Sequence, residues 1–202
     1  MSNSIILSAS YLPPVSYFHA IAQCNGDIIL DKYEHFQKQT YRNRTSIATA
    51  NGVLDLIVPI QHGRKERVAM KDVKINYDHE WQRLHWLSLQ TAYRSSPYFE
   101  FYEDDFRAFY DTKYEFLFDY NLQQLELALK CLKLKRNIQF TESFQKMYEY
   151  GDLRNIIHPK KTSLLINPKP YYQNFEDRQG FLPDMSIVDL IFNQGPQSKN
   201  YL

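Results

Sequence analysis

Ile5-Ile6-Leu7-Ser8-Ala9-Ser10-Tyr11-Leu12-Pro13-Pro14, then Val15 to Cys24, then Asp27-Ile28-Ile29-Leu30-Asp31, is the stretch whose reading decides the fold. A short apolar run bounded by polar residues reads as a buried strand. Pro13-Pro14 end it, because each ring fixes φ near roughly −65° and removes an amide donor. Val15, Phe18, Ile21 and Ala22 recur at helical spacing, so the next segment is predicted as a helix with one buried face. Asn25-Gly26 suits a left-handed cap, and Asp27 to Asp31 reads as the second strand. Strand, helix and strand in about thirty residues is the size of a βαβ unit. The two strands are therefore expected side by side and parallel.

Outward from that unit the pattern changes. Thr45, Ile47 and Thr49 are β-branched at alternate positions, and Val53 with Asp55 to Val58 follows Asn51-Gly52, a strong hairpin signal. Gln61 to Ala69 reads as a charged loop around Gly63, and Asp72 to Asn76 as a short edge strand. From Asp78, taken as an N-cap, the spacing becomes helical: Trp81, Leu84, His85, Ser88 and Ala92 share a face. Ser96-Pro97 open a second helix, and a third runs over about Glu115 to Leu134. Ile138-Gln139-Phe140 is a short apolar run in a stretch otherwise broken by prolines. Near the end, Ser186-x-x-Asp189 resembles a capping box ahead of Ile187, Val188, Leu190 and Ile191. The class this predicts is α/β (or α+β). The strand-helix-strand unit and the hairpin would form a mixed sheet, packed by several C-terminal helices in a single domain spanning residues 1–202.

Composition narrows the function. Net charge is +1, from 24 basic and 23 acidic residues without long blocks, so there is no electrostatic footprint for nucleic acid. No apolar run reaches the roughly 18 residues of a spanning helix, and no charged, apolar leader opens the chain. Membrane insertion and secretion are not expected, and the reading is a cytoplasmic protein with reduced thiols. Cys24 and Cys131 form no CxxC pair, and the histidines show no metal spacing, so no metal site is expected. GxGxxG, GxxxxGK[ST] and GxSxG are all absent, and no cofactor is indicated.

The side chains that can carry chemistry gather after the strands. Asp31 closes the second strand, and His19 sits early in the intervening helix. A histidine with a carboxylate in reach can act as general acid or base, and Asp31 can also hold a cation. Asn43 and Arg44 are the second pair, the guanidinium offering a fork for an anionic group of a ligand and the amide orienting it. Tyr11 lies in the loop beyond the first strand, beside the cleft these residues are expected to face.

Taken together, Tyr11-Leu12-Pro13 with Tyr17-Phe18, Leu30-Asp31, Asn43-Arg44 and Val58-Pro59 resemble the WbqC-like family. Trp81, His85, Ala92-Tyr93 and Pro97-Tyr98-Phe99 continue the likeness, as do Leu182, Ser186-Ile187, Asp189-Leu190, Phe192-Asn193 and Gly195-Pro196. Ser8-Ala9 stands where the family's pattern has a Gln-Pro pair, and Asp31-Lys32 where it pairs two aspartates. The resemblance adds His85 to the candidate substrate-binding residues. It implies an enzyme of surface-polysaccharide or O-antigen biosynthesis, transferring a group to, or otherwise modifying, an activated sugar or sugar precursor. The implied ligand is a small molecule of the sugar-nucleotide kind. A non-catalytic ligand-binding or assembly protein of the same pathway is the alternative.

Overall fold

Ile5–Leu7 (β1) is followed by Val15–Gln23 (α1), Ile28–Leu30 (β2), Arg44–Thr49 (β3) and Gly52–Ile57 (β4). Trp81–Tyr93 (α2), Phe99–Asp111 (α3) and Leu117–Cys131 (α4) come next, then Ile138–Phe140 (β5) and Gly151–Asp152 (β6). Glu176–Gln179 (α5) and Ile187–Gln194 (α6) follow, and a 3-10 helix, Gly195–Tyr201, ends the order. The structure is a computed structural model and describes residues 4–61, 67–149 and 151–202. The expected charged loop around Gly63 falls largely on residues 62–66, outside the described residues.

β1 and β2 pair in parallel, Ile5 opposite Ile28 and Leu7 opposite Leu30, as the spacing predicts. β5 adds in parallel outside β2 and β6 outside β1, giving the order β5-β2-β1-β6. The α/β class holds, but the hairpin does not join this sheet. β3 and β4 pair antiparallel as a sheet of their own. Beside β3, the Ser186 amide donates to the Ser46 carbonyl at 2.8 Å, tying the hairpin to the entrance of α6. The hairpin turns through Ala50-Asn51, with Thr49 opposite Gly52.

Other local expectations are corrected by tertiary contacts. α1 ends at Cys24 in extended backbone, and neither Asn25 nor Gly26 adopts positive φ. Its terminal groups are satisfied from afar: the Ser16 amide donates to Asp184 Oδ1 at 2.7 Å, and Arg136 donates to the Ile21 and Ala22 carbonyls. Asp72 to Asn76 has the alternation of a strand, with Val73 and Ile75 buried, yet forms a 3-10 turn at Met70–Asp72 and isolated bridges. Its amides and carbonyls are shared between residues 59–61 on one side and 115–117 on the other, so no continuous ladder develops. α2 starts after Glu80 rather than Asp78, and α3 after Tyr98. The Ser186-Asp189 pair is no capping box, since Ser186 Oγ donates to the Leu12 carbonyl at 3.0 Å and the Asp189 carboxylate turns to Tyr171 and Gln173.

Much of the aromatic content goes into the core. Phe192 of α6 sits among Tyr93, Phe99 and Phe106, with ring centroids 5.1 to 5.5 Å apart. The loop leaving β1 is held against this core at a strained point. Leu12 has φ 37, unusual before proline. Its carbonyl accepts from Thr45 Oγ1 at 2.7 Å as well as from Ser186, so the hairpin and α6 jointly fix how the loop presents Tyr11.

Candidate functional site

Polar side chains meet where the parallel strands end. Beyond β2, Asp31 is fully buried. Its Oδ1 accepts from the Tyr33 and Glu34 amides and from Thr141 Oγ1, which follows β5, and its Oδ2 accepts from Arg154 Nη1 at 2.6 Å. Arg154 follows β6 and donates also to Asp152 and to the Gln145 and Lys146 carbonyls. Beyond β1, Ser8 Oγ donates to the Arg154 carbonyl at 3.3 Å. Beneath lies a second buried pair, Arg42 with both oxygens of Glu34. Such pairs hold only when geometry and further hydrogen bonds offset their desolvation. Burial pushes the Glu34 carboxyl up, and Arg42 opposes it. Asp152 is also pushed up by burial, but the Arg154 bonds outweigh this and leave it below its ordinary value.

A second, uncharged network adjoins the first. The Tyr11 hydroxyl lies 3.0 Å from His85 Nδ1 and 2.8 Å from the Tyr110 hydroxyl. Tyr11 stacks on both His85 and Tyr120, and the Trp81 ring stands edge-on to both of those rings. Burial drives the His85 pKa down to about 4, opposed only in part by a backbone contact with Ile57. The imidazole is neutral near pH 7, so one ring nitrogen accepts; Tyr11 donates to Nδ1 when the proton is on Nε2. Burial also raises the Tyr11 and Tyr110 hydroxyls well above their ordinary value, keeping both protonated.

Around this pair several buried polar atoms lack a close partner, namely Trp81 Nε1, Tyr120 Oη, Asn121 Oδ1 and both amide atoms of Gln124, although the Tyr120 hydroxyl feels the Gln124 and Tyr11 side chains. Tyr120, Asn121 and Gln124 occupy one sector of α4, being three or four positions apart or adjacent. Asn121 joins the two networks, because its Nδ2 donates to the Ala9 carbonyl at 3.1 Å and the Arg42 carbonyl at 2.7 Å. Those bonds fix the amide's orientation and leave Oδ1 as a free acceptor.

The model of the WbqC-like protein family matches residues 9–167. This chain belongs to the WbqC-like protein family. A curated relative, named "Uncharacterized protein Rv1507c", from Mycobacterium tuberculosis (strain ATCC 25618 / H37Rv), is 22% identical over 228 residues, spanning 100% of this chain and 98% of its own. No solved structure matches the chain. In this WbqC-like chain no described helix is long and apolar enough to cross a membrane.

The candidate residues read from the sequence fall in different places. Tyr11 and His85 are brought together directly. Asp31 heads the charged network, and no bond joins it to His19, which is half-buried on α1. Asn43 closes the hairpin base, its Nδ2 donating to the Val58 carbonyl at 2.9 Å. Arg44 lies 3.3 Å from Asp55, with its Nε buried and unpartnered. Neither Asn43 nor Arg44 bonds to Asp31. Arg154, Arg42, Asn121 and Gln124 were missed by the sequence reading. For the last two, polar residues on the otherwise apolar face of a predicted helix were the available cue.

Proposed function

We propose that this WbqC-like chain is a cytoplasmic enzyme of surface-polysaccharide and O-antigen biosynthesis, including lipopolysaccharide. It would act as one domain that transfers a group to, or otherwise modifies, an activated sugar or sugar precursor at a site centred on Tyr11 and His85. The observation that supports this reading is the set of unpartnered buried atoms around that pair, since buried polar groups are nearly always hydrogen-bonded. Trp81 Nε1 only donates, Asn121 Oδ1 only accepts, and Gln124 and Tyr120 do both. That mixture suits hydroxyl or acylamino groups of a sugar and opposes a bare anion or cation. In this reading the Tyr11 hydroxyl takes a proton from a substrate hydroxyl as it passes its own to His85 Nδ1, with Tyr110 holding Tyr11 in place. Asp31 acts through Arg154 by fixing the strand ends, and Arg44 Nε with Asn43 waits at the hairpin base for a second group of the ligand. His19 has no bond to this set and takes no part in the proposal.

A second reading, a non-catalytic assembly protein of the same pathway, is favoured by an apolar groove between the hairpin and α2. Thr49, Val53, Leu54, Leu87, Thr91 and Phe175 are among the residues lining a cavity of about 520 Å³, with Val53 and Leu87 each about half exposed. A thermal-shift screen of nucleotide sugars, nucleotides and acyl donors separates the two, because a ligand of the native state raises its melting temperature by mass action. The enzyme reading expects a sugar-bearing compound to stabilise the parent, and Gln124→Met to abolish that gain. An equal gain in Gln124→Met would reject the Tyr11–His85 site. No gain with any compound, together with a change of oligomeric state in Leu87→Glu, would favour the assembly reading.

A further inference from the structure

The loop after β6 builds a cationic corner on the carboxyl side of the sheet, the side on which open α/β sheets take ligands. It turns at His158, where the Lys161 amide donates to the His158 carbonyl and the Lys160 amide to His158 Nδ1, both at 3.0 Å. That turn sets two consecutive lysines beside an imidazole. Lys160 Nζ is held by Gln39 Oε1 at 2.5 Å and Lys161 Nζ by the Asn155 carbonyl at 2.7 Å. Gln37 donates to Asn155 Oδ1 at 3.1 Å, so the loop beyond β6 is tied to the loop beyond β2.

None of these lysine partners is a carboxylate. Among the described residues neither Lys160 nor Lys161 forms an ion pair, whereas Lys71, Lys74, Arg83 and Arg107 each do. The uncompensated charge is felt by the histidine. Its pKa is lowered first by burial and then by Lys161, Lys160 and Arg42, the last already bound to Glu34. Adjacent like charges held by neutral oxygens are relieved when an anion enters. Lysine suits phosphate as a compact charge with several donors.

We propose that Lys160, Lys161, His158 and Gln39 form a phosphate-binding site that takes the diphosphate of a phosphorylated small molecule. It rests on the reading above only in assigning that molecule as an activated sugar. The two lysines neutralise the phosphate oxygens, His158 donates from Nε2, which carries the proton while Nδ1 accepts from the Lys160 amide, and the Gln39 amide nitrogen supplies a neutral donor.

Inorganic pyrophosphate is the probe, since it carries no sugar and separates this site from the proposed Tyr11–His85 site. Calorimetry at fixed ionic strength should show the Lys160→Ala/Lys161→Ala variant binding pyrophosphate roughly tenfold more weakly, or worse. The control, Lys130→Ala/Lys135→Ala, removes the same charge from another face and should bind as the parent does. In the parent, NMR titration should show pyrophosphate raising the His158 pKa, because a nearby anion favours imidazolium. Equal weakening in both double variants, or a His158 titration that pyrophosphate leaves unmoved, would overturn the proposal. Pyrophosphate binding with no response in the sugar screen would keep this site and remove the sugar assignment.

Discussion

Asp31 shows how a residue can be found in a sequence and its surroundings missed. Its place after an apolar strand marks it, but its strongest partner, Arg154, is 123 positions away in a proline-broken stretch. Nothing local in that stretch announces an arginine bound for the interior. Tyr11, just beyond an apolar strand, and His85, on a periodic helix face, are marked as candidates because the family likeness ties them to one pattern. Their contact makes a pH prediction. His85 has a folded pKa of about 4 against an ordinary value near 6.5. Between those values the unfolded chain holds more protons than the folded one, so stability rises with pH across the window and is fully present above about 6.5. Acidification from pH 6.5 to 4 should cost the parent of order 3 kcal/mol from this group. Glu34 and Asp189, whose carboxyls burial pushes up, bend the curve the other way in this range. The test is therefore a difference: urea unfolding of parent and His85→Asn across that window. Parallel curves would show that His85 does not titrate with folding.

At the scale of elements, the apolar periodicities mark the helices and strands, while their ends are settled elsewhere. α1 has no acidic residue in its first turn and no basic residue in its last. The carboxylate and guanidinium that serve those ends come from Asp184 and Arg136, where they favour the helix dipole as well as pairing free amides and carbonyls. A one-dimensional reading assigned that work to Asn25-Gly26 because it sees only neighbours. The same holds for Ser186 and Asp189, whose spacing fits a local cap but whose side chains bond across the fold. The exit of α6 is set by Gly195, at φ 50, where an added Cβ would lie 2.4 Å from Tyr98 Cδ1. Gly180 also has positive φ, 71, but an added Cβ there meets nothing within 4 Å. Gly180→Ala is expected to cost about 1 to 2 kcal/mol, the backbone term alone. Gly195→Ala should cost clearly more, because the Tyr98 ring must move and its amide is bonded to the Phe192 carbonyl. Equal urea midpoints for the two variants would show that the Tyr98 contact yields freely.

For the whole molecule, the question is how much of the chain the fold needs. The family match ends at residue 167, yet α6 begins at Ile187 and is buried on nearly every side. The sequence made α6 legible as an apolar helix. What it could not show is that α6 lies against α1, α2, α3 and α4 at once, because a helix with apolar residues all round names no partner. Ile187, Val188, Leu190, Ile191 and Phe192 are each fully buried. At about 2 kcal/mol per side chain, their removal from water contributes on the order of 10 kcal/mol, as large as the whole stability of a typical domain. The segment also supplies the Asp184 cap of α1 and the Ser186 bonds that hold Leu12 and β3. A chain ending at Pro183 loses all of this together and exposes the faces of four helices. It is expected to give no cooperative melting transition and to lose the near-ultraviolet signal of its packed tyrosines. Leu190→Ala, which keeps the helix and removes one buried side chain, should still melt cooperatively and be less stable by about 2 to 5 kcal/mol. If the truncated chain melts as the full one does, α6 is an appendage and the residues that fix Tyr11 must be held by the strand-helix-strand unit alone.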